Sequence, residues 1–283
     1  MSMITACIDG SSISASVCDA AAWVSASLEA PVKLLHVLER TNLPLNDNLS
    51  GTIGLGSREH LLAEMTRLDE ERSKVALEHG KHMLDDARLR LEQQGIKDIK
   101  IKQRHGQLLE ALLDCEAETR VFVIGRLGED HDHQMQAIGS HLENMVRGIK
   151  VPILVAVGAF TTPENYMIAY DGSQTADEAI AKFASSPLLK NLPGHLVMVG
   201  ADTAENQQQL AGAKRILEQA GRSIETCLLQ GDVQEVLSQY RRDQNIDLMV
   251  MGAYGHSRLR EFFVGSQTSK MIASSPVPLL LLR

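Results

Sequence analysis

The sequence predicts an α/β protein built from two tandem doubly wound domains, each a five-stranded parallel sheet with helices on both faces. Three observations carry that prediction. The chain repeats itself, strand-length apolar runs alternate with helical periodicity, and runs such as "HLVMV" and "DLMVM" are apolar on both faces. Alternation of that kind implies right-handed βαβ crossovers, and apolarity on both faces implies strands sandwiched between helix layers.

The repeat runs the length of the chain. "ACIDGSSISASVCDAAAWV" from Ala6 resembles "IAYDGSQTADEAIAKFASS" from Ile168, an apolar run followed by Asp-Gly-Ser and a helical stretch. "GQLLEALLDCEAETRVFVIGRLG" (106–128) resembles "GDVQEVLSQYRRDQNIDLMVMGAYG" (231–255), and "GSHLENMVRGIKVPILVAV" (139–157) resembles "GSQTSKMIASSPVPLLLLR" (265–283). Residues 1–158 and 164–283 are therefore read as two copies of one unit, joined near "GAFTTPEN" (158–165).

Taken in order, the second copy reads as strand 166–170, helix about 174–186, strand 195–199, helix about 204–220 and strand 224–229. Helix about 232–243, strand 246–251, helix about 266–274 and strand 277–282 complete it. The first copy is longer because about 60 residues separate strand 32–37 from strand 98–103, against about 24 in the second copy. This insertion covers about 42–95. It opens on the loop-like "NLPLNDNLSGTIGLG" (42–56) and continues into helix formers over 58–95, with Leu61, Met65, Leu68, Val75, Met83, Leu84, Ala87 and Leu91 mostly three or four residues apart. The pattern fits a layer helix with a solvated face better than a partner-binding arm. Unbroken, such a helix would be about 57 Å long, so a break is expected near Gly80.

Composition narrows the function classes. Apolar residues make up 44% and charged residues 23%, an ordinary globular balance. The net charge of −8 argues against broad binding to nucleic acid or anionic membrane. Cys7, Cys18, Cys115 and Cys227 form no C-x-x-C pair, so neither a disulfide framework nor a zinc site is indicated. With no signal-peptide pattern and no run of roughly 20 apolar residues, the expected location is cytoplasmic.

The chemistry concentrates in "MGAYGHSRLREFFVGSQTSKMI" (251–272). Gly252 follows the strand "IDLMVM", so this loop lies at the carboxyl edge of the sheet, where open parallel sheets bind ligands. Glycines there let the backbone approach a ligand with no Cβ in the way. Gly265-Ser266 opens the last helix, whose free N–H groups and dipole favour an anion, and Arg258 and Arg260 add positive charge. Asp171 ends the first strand of this copy at the same edge, placed to accept hydrogen bonds from a ribose or base. Alone, Asp-Gly-Ser reads as a turn with a helix cap, and three loop glycines are weak evidence; their conjunction points to a nucleotide.

Gly252, Gly255, Gly265 and Ser266 match the G-x2-G-x9-G-[ST] pattern of ATP-binding universal stress proteins, and the chain as a whole resembles the tandem members of that family. The resemblance implies a five-stranded parallel sheet of order 3-2-1-4-5 in each copy. It also implies that Gly252, Gly255, Gly265 and Ser266 contact phosphates, that Asp171 lies near adenine or ribose, and that Val199 contacts adenine through its backbone. Met251 and Gln267 become second-rank neighbours.

The first copy departs from the pattern. Asp9, Gly125, Gly128, Gly139 and Ser140 make a weaker second site, because ten residues rather than nine separate Gly128 from Gly139. That insert carries Glu129, Asp130 and Asp132 without Lys or Arg, whereas the corresponding stretch of the second copy carries two arginines against one glutamate. The reversal disfavours a triphosphate by about a few kcal/mol at a surface-like dielectric. His131 and His133 read as polar loop residues rather than metal ligands, although a Mg ion bridging carboxylates to phosphate would offset the charge.

No Walker loop, nucleophile elbow or identifiable general base is present, so no catalytic residue is assigned and at most slow ATP hydrolysis or autophosphorylation is expected. The leading expectation is a stress-response protein that binds ATP, mainly in its second domain, as a regulatory ligand. The alternatives are a nucleotide-independent protein–protein interaction module and an adenylate-transferring enzyme. By the resemblance, "VPILVAV" (151–157) and "VPLLLLR" (277–283) would pair within the chain, and a homodimer of tandem chains is a further expectation.

Overall fold

The computed structural model describes residues 2–38, 55–126, 145–252, 271 and 274–283. The first copy contributes β1 (Met3–Cys7), α1 (Ser14–Leu28), β2 (Val32–Leu38), α2 (Leu55–Gln93), β3 (Ile99–His105), α3 (Leu108–Glu116), β4 (Thr119–Gly125) and β5 (Ile153–Ala156). The second contributes β6 (Tyr166–Tyr170), α4 (Gln174–Ser185), β7 (Gly194–Val199), α5 (Ala204–Gln219), β8 (Ile224–Leu229), α6 (Val233–Asp243), β9 (Met249–Gly252) and β10 (Leu279–Leu282). Residues 145–148, 271 and 274 are helical. The loop read over 42–56 and the opening of the last helix lie largely outside the described residues.

The ten strands form one sheet in the order β3-β2-β1-β4-β5-β10-β9-β6-β7-β8. Each copy therefore has the order 3-2-1-4-5, and every pairing within a copy is parallel. The two copies join where β5 and β10 run antiparallel, with Leu154 registered against Leu280. That junction consumes what would otherwise be one open edge per copy. At the outer edge, β3 carries Lys100, Lys102 and Arg104, charges that discourage further pairing.

Two apolar clusters cover the faces of the sheet. One packs α1, α2, α4 and α5 through residues such as Val17, Leu84, Ile180 and Leu217; the other packs α3 and α6 through Leu112 and Leu237. Both clusters run across both copies, with Leu154 and Leu280 in the first and Val155 and Leu281 in the second. Across the junction, Arg126 donates to the carbonyl of Ser275, and Arg283 donates to the carbonyls of Val146 and Arg147.

Two expectations are corrected. The helix through Gly80 does not break: α2 is continuous over 39 residues. Gly80 is buried because it lets the helix backbone approach β2 and β3, where an added Cβ would collide with the amide of Gln103 and lie 2.7 Å from Cδ2 of His36. The glycine serves close approach rather than interruption. The strand expected from 246 begins at Met249. Before it, Asp247 is tied by its N–H to the side chain of Asn165 and by its carboxylate to the N–H of Glu164, so these residues hold the approach to β9 against the start of β6 instead of joining the ladder.

Candidate functional site

The second copy assembles a site from the carboxyl ends of its central strands. Parallel register pairs Ala169 with Met251 and Tyr170 with Met198. One step further, Asp171 stands beside Val199 and Gly252 is level with Tyr170, so the three gather at the sheet edge. Together with Met251 they line a cavity of about 500 Å3, a volume within the range of about 300–1,000 Å3 for small-molecule sites. Val197, Val233, Leu237 and Met271 add apolar surface, and Ser173 and Thr175 add hydroxyls.

Local chemistry shapes the acidic end. Asp171 accepts a hydrogen bond from the Ser173 N–H at 3.0 Å, closing a tight turn through Gly172, whose φ of 73° suits a residue without a Cβ. Ser173 then caps α4 by accepting from the Ala176 N–H. Tyr170, next in the chain, donates to Asp177 at 2.5 Å; burial first, then that bond, push its phenol pKa up, so it stays a neutral donor. Among the described residues Asp171 makes only the Ser173 contact, and its exposed carboxylate retains acceptor capacity. At Gly252 an added Cβ would meet no described atom within 4 Å.

The first copy spends its equivalent carboxylate internally. Asp9 accepts from the Ser11 N–H at 3.0 Å, the Ser11 hydroxyl at 2.7 Å and the Ser14 hydroxyl at 3.0 Å. Met83 of α2 sits against Gly10, so the insertion packs on the turn itself. Gly125 ends β4, in the position that Gly252 holds in β9.

Of the sequence-predicted site residues, the structure brings Asp171, Val199, Met251 and Gly252 into one cavity. Gly255, Arg258, Gly265, Ser266 and Gln267 lie outside the described residues, as do Gly128, Gly139 and Ser140 of the first copy and His131 and His133. Sequence reasoning missed Lys150, Lys182 and Arg283, which line the far end of the cavity. Lys150 belongs to the first copy and arrives through the β5–β10 junction, so no motif in the second copy announces it.

Residues 1–156 and 164–283 each match the universal stress protein family. The chain belongs to that family. A universal stress protein of Synechocystis, Slr1230, is 34% identical over 287 residues, covering 100% of both chains. Among solved structures, a universal stress protein from Archaeoglobus fulgidus superposes with a TM-score of 0.68 at 18% identity, over 99% of this chain and 95% of its own. The functionally unknown protein PA1789 from Pseudomonas aeruginosa gives 0.61 at 11% identity, over 99% and 92%. At such identities these structures speak to the universal stress protein fold alone. Among the described residues no group of metal-ligating side chains is assembled, and no helix is long and apolar enough to cross a membrane.

Proposed function

We propose that this universal stress protein binds ATP in its second domain as a regulatory ligand. The observation that carries the reading is the convergence of Asp171, Val199 and the adjacent Met251 and Gly252, from three separate strand ends, on one cavity at the carboxyl edge of the sheet. The residues present fit a nucleotide. Apolar walls from Val197, Val199 and Met251 suit a base, Asp171 has acceptor capacity for a ribose or base edge, and the backbone at Gly252 leads into the glycine loop that suits phosphates. Gly255, Arg258, Gly265, Ser266 and Gln267 complete the proposed binding set, with Mg as an accompanying ion.

The first domain is the weaker site in this reading. Its Asp9 is already satisfied by two serines, and its glycine loop carries acids where the second carries arginines. Residues 1–158 and 164–283 act as the two units, in the cytoplasm, and a pair of chains forms the homodimer. No catalytic base is assigned, so turnover is slow or absent.

The test is calorimetric titration of the full chain with ATP, compared with Gly252→Val. A valine there meets no described atom but blocks the approach of a ligand to the backbone, so the variant, its fold checked by circular dichroism, should lose at least about tenfold in affinity. Undiminished binding by a folded variant would remove this cavity as the nucleotide site.

A further inference from the structure

Beside the nucleotide cavity, across the β5–β10 junction, lies a second cleft of about 420 Å3. Four cationic residues line it: Arg120 and Lys150 from the first domain, Lys182 and Arg283 from the second; no Asp or Glu does. Lys150 and Lys182 are exposed, and Arg120 and Arg283 are half-buried. Among the described residues, none of the four side chains pairs with a carboxylate side chain. Arg120 donates to the carbonyl of Leu28 at 3.3 Å, Arg283 to the carbonyls of Val146 and Arg147, and Lys182 at 3.2 Å to the backbone carboxyl of Arg283, the last residue of the sequence, which offsets one of the four charges. Two carboxylates are near without lining the cleft. Glu116 accepts the main-chain N–H of Lys150, and Glu178 borders the adjoining nucleotide cavity.

Gathering four like charges costs electrostatic repulsion, and here the chain carries them against a net charge of −8. The fold does not require them. The internal repeat supplies a control, since the junction has a second, pseudo-equivalent side. Superposing the repeats places Asp247 where the first copy has Arg120, and Pro276 where it has Lys150. Likewise Ala20 stands opposite Lys182, and Val157 opposite Arg283. One side of the junction is thus cationic at four positions; the other is neutral or acidic at the same four.

We propose that this interdomain cleft, which adjoins the nucleotide cavity and shares Lys150, Lys182 and Arg283 with it, is a second binding site, for a compact polyphosphorylated anion held between the domains. Planar guanidinium groups and mobile ammonium groups together suit several phosphate groups at once better than a single one. Because both domains contribute cations, a ligand there bridges the junction and draws the domains together. Lys150, Lys182 and Arg283 line the nucleotide cavity as well, so the two sites share a wall; Arg120, Val151, Pro152 and Ser186 line only this cleft, and R120Q is the variant that tells the two apart.

Inorganic tripolyphosphate is the probe, titrated into the full chain by calorimetry at low ionic strength, with orthophosphate for comparison. Tripolyphosphate should bind saturably and more tightly than orthophosphate. K150Q/K182Q, at exposed positions, and R120Q should each weaken it on the order of tenfold or more. K97Q/K100Q, which removes the same charge from exposed positions at the far edge, should leave it unchanged, as should Gly252→Val. Absence of saturable binding would overturn the proposal, as would an equal loss in the charge-matched K97Q/K100Q control. Loss in Gly252→Val alone would assign the anion to the nucleotide cavity and equally sink the second site. Circular dichroism melts of each variant establish that the fold is retained.

Discussion

Gly80 lies against the imidazole of His36, where a Cβ would come within 2.7 Å of the ring's Cδ2. The ring has no room to retreat: His36 is 6% exposed, and its Nδ1 sits 2.7 Å from the carbonyl oxygen of Ile8. Gly80→Ala should therefore destabilise the protein by about 1–3 kcal/mol through overpacking, although alanine gains roughly 1 kcal/mol in helix propensity. Urea unfolding checks the sign. A more stable variant would mean that the glycine is not needed for contact between α2 and the sheet.

A second tie holds the same helix. Arg90 of α2 grips Asp19 of α1 through two bonds of 2.7 Å, with Gln94 adding a third. The guanidinium hydrogen bond, opposed in part by burial, holds the Asp19 carboxyl below the usual range. A carboxylate whose pKa is depressed on folding stabilises above its unfolded pKa of about 3.9, and that stability is lost as pH falls through the lower folded value. Asp19→Asn should cost about 0.5–1 kcal/mol near neutrality, because the pair is partly exposed. Denaturation at a series of pH values should show the gap between the two proteins constant from about pH 5 to 8 and closing below about 4.

The two copies should differ in nucleotide binding. Asp171→Asn removes the carboxylate that lines the second-domain cavity and should weaken ATP about tenfold, the size of one lost charge-assisted hydrogen bond. Asp9→Asn should leave ATP affinity and a stoichiometry of one per chain unchanged, since Asp9 serves its own turn. Calorimetric titration of both variants reads affinity and stoichiometry together. Equal loss in both would place nucleotides in both domains.

The junction should make the copies unfold as one. Leu280 of β10 is 1% exposed and registered against Leu154 of β5, in an apolar cluster common to both domains. Leu280→Ala should cost about 2–4 kcal/mol. Trp23, the single tryptophan, lies in α1 of the first domain. Its fluorescence transition should shift together with the far-UV circular dichroism of the whole chain. A tryptophan transition that stayed in place would show that the domains unfold separately.

The universal stress protein architecture was legible in the residues because its signals are local. Strands read at 166–170 and 224–229 appear at those bounds, since apolar runs of that length have one stable setting between helix layers. Asp171 and Gly252 could be placed at the sheet edge for a related reason: each ends or follows a strand, and parallel sheets put all such ends on one edge; Val199 and Met251 came through the family resemblance.

What only tertiary structure decided involves approach between distant segments. A glycine in a helix reads locally as a weak point, and only the neighbouring His36 and Gln103 make Gly80 a contact. Asp-Gly-Ser reads alike in both copies, and a helix side chain covers each glycine, Met83 at Gly10 and Gln209 at Gly172; yet Ser14 binds Asp9 while Asp171 lines a cavity. Lys150 and Arg120 are scattered cations in the sequence. They meet Lys182 and Arg283 because β5 and β10 pair antiparallel, which sets the amino edge of one domain beside the carboxyl edge of the other. Side-chain periodicity within a segment specifies what that segment becomes; it holds no information about which distant segment will face it across a closed sheet edge.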